Sequence, residues 1–323
     1  MFKKNSSTPA LPGQSAGRAN ENQILRDLAE DYMKDLKWRR IFKFTVLALV
    51  VIYFLSIYML ANSVGGVSAS RPHTAVVNLN GVIGIDLGAT SDQINGSLRS
   101  AFESEQSKGV VLRINSPGGT PVQSAEINAE ISRLREKYPQ KPMHVVINEL
   151  CASGGYYVAV AADKIFANPS SIVGSIGVRM DSFGFVDAIE KLGVERRTLT
   201  AGANKALLDP FLPTNQGQVA HLKSMLDDVH QQFIDAVTSG RGDKIEASQD
   251  LFTGLVWSGS QARELGLIDD FGSLDFVASE IIGESNVVDY SFQPNFFDQF
   301  SRDFGVSVGK GIAQTLGFGL QMQ

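Results

Sequence analysis

The chain has 323 residues, enough for one large domain or two modest ones with a substantial core. Its formal net charge of -5 gives no support to nucleic-acid binding. The single cysteine, Cys151, excludes an intramolecular disulfide and a thiol cluster, and the four histidines have no HExxH-like spacing, so neither metal nor cofactor is expected.

In chain order, residues 1–21 are rich in Ser, Gly, Asn and Pro and read as disordered. Leu25, Leu28, Tyr32 and Leu36 then recur at helical spacing among charged residues. That pattern fits a solvated amphipathic helix or one lying on a membrane surface. Residues 44–61 (FTVLALVVIYFLSIYMLA) are 18 uncharged, apolar positions. At about 1.5 Å per residue they nearly cross a hydrocarbon core of about 30 Å, and the weakly polar residues up to Ser70 can complete the crossing. A transmembrane helix is therefore expected over 44–62, with a linker over 63–72. A cleaved signal peptide fits poorly, because a long segment precedes the run. Lys34, Lys37, Arg39, Arg40 and Lys43 crowd its N-terminal side, and no charge follows until Arg71. The positive-inside rule puts 1–43 in the cytoplasm and the rest outside it.

The outer domain is expected over 73–290. Residues 74–79 (TAVVNL) and 109–114 (GVVLRI) read as strands, the second buried, and 124–137 as a helix with Ile127, Ile131 and Leu134 on one face. Further strands are expected at 143–147, 164–167 and 194–199, and helices at 154–162, 182–192 and across 216–238. This alternation predicts an α/β fold with a mainly parallel sheet and a ligand site beyond the strand C-termini. The tail, 291–323, carries Phe296, Phe297 and Phe300; core packing, an oligomer contact or a membrane-facing rim would each account for them.

Chemistry concentrates in two stretches. Cys151-Ala152-Ser153-Gly154-Gly155-Tyr156-Tyr157 puts a serine at a strand-to-helix junction, where free N–H groups and the helix dipole favour developing negative charge. Such a serine is either a helix cap or a nucleophile. Asn115-Ser116-Pro117-Gly118-Gly119 follows the GVVLRI strand, and its glycines suit an ordinary tight turn or a backbone oxyanion hole. The stretch Gly174-Ser175-Ile176-Gly177-Val178 lacks the form of a nucleotide loop. With no histidine in a suggestive context, a lysine is the candidate base for Ser153. Among Lys164, Lys191, Lys205 and Lys223, Lys205 has the least charged setting.

Taken together, 115–119, 152–157 with Ala161-Ala162-Asp163-Lys164-Ile165, 174–178, the Gly202…Lys205 segment and the later Phe252-Thr253-Gly254…Trp257-Ser258-Gly259 block resemble the signal peptide peptidase A (SppA) type of Ser-Lys membrane serine protease. The resemblance runs from about Thr74 to Gly272. It implies a crotonase-like (ClpP-like) α/β superhelix, Ser153 as nucleophile, Lys205 as general base, and the N–H groups of Gly119 and Gly154 as oxyanion hole. It also implies hydrophobic peptides, such as remnant signal peptides, as substrates and a bacterial inner-membrane location with the protease domain outside. With one repeat only, it implies a homo-oligomer in which Lys205 of one protomer serves Ser153 of the next. Thr120-Pro121 after Pro-Gly-Gly departs from the family pattern, although Pro121 suits a helix start. The rival readings are a non-catalytic scaffold of the same fold, with Ser153 as an idle cap, and an acyl-CoA-type enzyme, which an outward location disfavours.

Overall fold

The computed structural model describes residues 14–85, 88–246 and 250–293, and in its first helix it leaves out the side chains of 14–25, 27, 29, 31 and 57–69. The chain divides into two compact units, residues 1–67 and 68–323. The first consists of α1 (Gln14–Ala69), which begins inside the stretch expected to be disordered. The apolar run 44–61 lies within α1, and residues 57–61 fall outside the described side chains. Among the described residues no helix is long and apolar enough to cross a membrane.

The second unit opens with β1 (His73–Asn80), β2 (Val82–Ile83) and β3 (Gly88–Ala89), followed by α2 (Ser91–Glu103) and β4 (Ser107–Ser116). Next come α3 (Pro121–Lys137), β5 (Met143–Ala152), α4 (Gly154–Ala159), β6 (Lys164–Ala167), β7 (Ile172–Gly174) and α5 (Val186–Lys191). The long α6 (Gln216–Arg241) leads to β8 (Val256–Ser258), α7 (Gly259–Glu264), β9 (Asp270–Phe271), α8 (Leu274–Phe276) and β10 (Val287–Asp289). The main sheet runs β10-β1-β4-β5-β6-β9, parallel throughout, and β7 pairs parallel with the far end of β5. Only β8 runs antiparallel in this sheet, against β7. The mainly parallel α/β fold expected from strand–helix alternation is what forms.

Strand side chains alternate between faces, and each face has its own core. Val77 and Leu79 of β1, Leu112 and Ile114 of β4, and Val145 and Ile147 of β5 belong to the larger cluster, shared with α2, α3 and α4. Val76, Val111, Val146 and Phe166 face the other way, onto Val277. Burial on both faces explains why GVVLRI is nearly all apolar. In α2, Ile94, Leu98 and Phe102 form the inward stripe, and the Thr90 hydroxyl caps the helix by accepting the Gln93 N–H at 3.3 Å. In α3, Ile127, Ile131 and Leu134 do the same behind Pro121 at the helix start.

Three expectations need correcting. Residues 194–199 form no strand: Leu199 is fully exposed and no strand among the described residues offers them a ladder, so alternation alone does not hold them extended. The helix expected over 182–192 is confined to α5, whose N-cap Phe185 supplies no side-chain cap. The strand expected to stop at Ile147 continues to Ala152. There β5 leaves β6 and pairs with β7, and the polar Asn148 and Glu149 are exposed at this fork.

Candidate active site

Ser153 follows the last residue of β5 and occupies the N-cap position of α4. Its backbone adopts φ 51° and ψ -124°, and its hydroxyl makes no capping bond. Thr90, Asn215, Ser258 and Ser273, at the N-caps of four other helices, all use their side chains to accept a helix N–H. Of the two readings of this serine, the cap is therefore not the one the geometry serves. A positive φ at a non-glycine costs about 1–3 kcal/mol and persists only where the surroundings impose it. Here the Ser153 N–H donates to the Gly174 carbonyl at 2.8 Å, and the Ser153 carbonyl accepts the Tyr157 N–H at 3.0 Å. The side chain is left half-exposed on a fixed backbone, at a strand–turn–helix junction.

The Pro117-Gly118-Gly119 turn packs against this junction. Gly118 has φ 99°, and a Cβ there would lie 2.7 Å from both the Gly154 nitrogen and the Ser153 Cβ. Glycine is required by conformation and by contact. A Cβ at Gly119 would collide with the Ile83 carbonyl, because β2 bonds to this turn from its other side. The Ile83 N–H donates to the Gly118 carbonyl at 2.8 Å, and the Ile83 carbonyl accepts the Thr120 N–H at 2.9 Å. Buried Ser116 fixes the base of the turn, its hydroxyl donating to the Gly81 carbonyl at 2.6 Å and accepting the Gly118 N–H at 3.1 Å.

The N–H groups of Gly119 and Gly154 donate to nothing among the described residues. The two glycines are close: a Cβ built on Gly154 would lie 3.1 Å from the Gly119 nitrogen. Three of the four sequence-predicted residues, Ser153, Gly154 and Gly119, thus come together. Lys205 does not join them. It lies in a run of turns, held through its backbone N–H to the Gly202 carbonyl at 3.2 Å, and its side chain is exposed with no bond to Ser153.

Other titratable groups nearby serve structure. The Cys151 thiol is fully buried, which pushes its pKa up and keeps it protonated. The Tyr156 hydroxyl, likewise pushed up by burial, donates to the Leu267 carbonyl at 2.7 Å and ties α4 to the C-terminal part of the domain. Asp269 anchors that part: Arg241 and Lys244 reach its carboxylate at 2.8 and 2.7 Å, and it accepts the Ile165 N–H at 2.8 Å. Burial works to raise its pKa, and the two cations and the N–H outweigh it, so it sits below the usual carboxylate range. Among the described residues, no cluster of three or more His, Cys, Asp or Glu side chains suits a metal.

Sequence reasoning passed over Ser175, another non-glycine residue with positive φ, at 53°. Its N–H donates to the Leu255 carbonyl at 2.7 Å, and it follows Gly174, whose carbonyl holds Ser153. Its signal in the sequence is the glycine-rich stretch 174–178.

Comparison with known proteins follows the same residues. The model of peptidase family S49 matches residues 135–287. A Na(+)/H(+) antiporter NhaA of Brucella melitensis is 45% identical over 204 residues, 62% of this chain and only 28% of the antiporter. Protease 4 of Haemophilus influenzae is 33% identical over 207 residues, 62% of this chain and 33% of that protein. A Methanocaldococcus jannaschii protein assigned as a protease is 32% identical over 216 residues, 65% of this chain and 68% of its own length. With two thirds of such a relative aligned, and the family model spanning β5, Ser153 and α6, the chain belongs to peptidase family S49.

Proposed function

We propose that this protein is a membrane-anchored serine endopeptidase acting on hydrophobic peptides, with remnant signal peptides as the substrate class. The observation that carries the reading is Ser153 itself: a helix-initial serine at positive φ, its hydroxyl unused for capping, beside two N–H groups without acceptors. Ser153 Oγ attacks the scissile carbonyl carbon, and Lys205 takes the hydroxyl proton and then delivers it to the departing amine. The oxyanion of the tetrahedral intermediate accepts from the N–H groups of Gly119 and Gly154, which the turn holds in place before substrate arrives. Water repeats the sequence on the acyl-enzyme.

Lysine serves as a base when desolvation favours its neutral form. Within one chain Lys205 is exposed and apart from Ser153, which supports a homo-oligomer whose neighbouring subunit supplies the lysine and buries it. Phe183 and Phe185, 75% and 44% exposed on the same segment, are apolar surface available for that contact. The run 44–61 within α1 and its basic N-terminal flank support an anchor with the domain outside the cytoplasm. The test is cleavage of a signal-peptide-like substrate in detergent by wild type, Ser153→Ala and Lys205→Ala. Both variants are expected to be inert, and mixing them should restore part of the activity. A Lys205→Ala variant that cleaves at the wild-type rate would remove the dyad from the proposal.

A further inference from the structure

A cavity of about 720 Å³, with no residue of the Ser153 turn in its lining, lies at the ends of β6 and β9, against the middle of β5 and Arg113 of β4, beside α8. This is the crevice opened where β5 changes partner from β6 to β7. Parallel sheets bind ligands beyond their strand C-termini, and the volume is in the range of small-ligand sites. Its polar wall centres on Arg113, which continues the face of Val111 on β4 and is the one charged residue in an otherwise apolar central strand segment.

Arg113 is held in place from behind. Its Nε donates to the Asn78 side-chain oxygen at 2.7 Å, while the Asn78 amide donates to Asp289 and to Ser291, each at 2.9 Å. The two terminal guanidinium nitrogens have no acceptor among the described residues, although Arg113 lines the cavity. A guanidinium fixed at one edge and open at the other is prepared for a carboxylate. Around the same cavity stand two carboxylates, Glu149 and Asp275, and two rings, Phe271 and Phe276. Neither acid pairs with Arg113.

We infer that this cavity binds short apolar peptides through their free ends, the α-carboxylate on Arg113, the α-ammonium toward Glu149 and Asp275, and an apolar side chain against Phe271 and Phe276. An isolated anion would meet the two acids, and an isolated cation would meet Arg113. A zwitterion with an apolar middle satisfies both sets of charges. The site goes beyond the proteolytic reading and does not depend on it, since no lining residue belongs to the Ser153 turn.

The experiment is calorimetric titration of full-length Ser153→Ala protein in detergent with trileucine, its C-terminal amide and its N-acetyl form. Trileucine should bind, with each blocked form at least tenfold weaker. Arg113→Gln should abolish the preference for the free carboxylate, and Glu149→Gln, at an exposed position, should reduce the preference for the free amine. Equal affinity for all three peptides, or no binding of trileucine, overturns the proposal. The same holds if a peptide aldehyde occupying Ser153 in the wild-type protein blocks trileucine, because the occupant would then sit in the active-site groove. Loss of proteolysis in an assay of the wild type would leave these outcomes unaltered and would count against the protease reading alone.

Discussion

The Ser153 turn and the Lys205 segment differ in almost every physical respect. Around Ser153, Gly118, Gly119 and Gly154 the backbone is fixed from three sides, by β7, by β2 and by buried Ser116, and nearly every neighbour is buried. Around Lys205, residues 179–205 are almost all exposed and contribute no buried side chain. The stacked aromatic rings of that segment, Phe183 on Phe185 at 6.3 Å and Phe185 on Phe211 at 5.6 Å, are packed on one another, with Phe183 and Phe185 open to solvent. One half of the candidate machinery is braced from within the chain, whereas the other lies exposed on its surface. On the proposed reading, the braced half would set the oxyanion geometry and the exposed half would make activity depend on assembly.

That contrast can be broken at several points. The largest effect is expected from Ser153→Ala, which should lower kcat by about 10³-fold or more, while thermal unfolding should show the protein equally stable or slightly more so, because little capping is lost. Gly119→Ala attacks the same half through its frame. Collision with the Ile83 carbonyl should cost about 3 kcal/mol and eliminate turnover, read by chemical denaturation together with the peptide assay. On the other half, Phe183→Ser should leave the monomer's stability within about 0.5 kcal/mol. It should shift sedimentation toward smaller species, and activity should fall in step with assembly.

Acid stability gives a smaller effect. Arg133 bonds to Glu130, and although burial opposes it, this bond together with Arg99 holds the Glu130 carboxyl at about 2, down from 4.5. A carboxyl whose pKa is depressed on folding stabilises above its unfolded value, and that contribution disappears as pH falls from 4.5 toward about 2. Asp269 acts in the same direction. Glu130→Gln should therefore flatten the loss of stability in this window, by about 1 kcal/mol once screening of the half-exposed arginines is allowed for. The smallest effect is at Cys151: a thiol-directed maleimide should leave the native protein unmodified and active, because the buried thiol stays protonated.

The regions that were legible in the sequence are those where local pattern and burial agree. GVVLRI could be only a buried strand, and Ile127, Ile131 and Leu134 only a helix face. At 194–199 alternation misleads, because it predicts a strand only if another strand lies beside it, and none does among the described residues. The end of β5 was cut short at Asn148 for a related reason, since exposure at a fork in a sheet looks, in sequence, like the end of a strand. At the site, residue types gave Ser153 and the Pro-Gly-Gly turn, but no pattern in sequence reports φ at a serine. Whether the Ser153 hydroxyl caps its helix is therefore not legible in the sequence. Ser175 and the Arg113 cavity were hidden for the same reason, being assembled from segments far apart in the chain.

The closure of the domain by its last strand has a consequence for biosynthesis. β10 pairs with β1, and the Tyr156 hydroxyl donates to the Leu267 carbonyl, so the start of the domain and the helix that follows Ser153 each gain part of their support from segments translated much later. A nascent chain carries Ser153 long before it carries the Leu267 carbonyl that accepts from Tyr156 of α4. On the proposed reading, a chain cut short before Leu267 would carry Ser153 on a helix that lacks one of its ties.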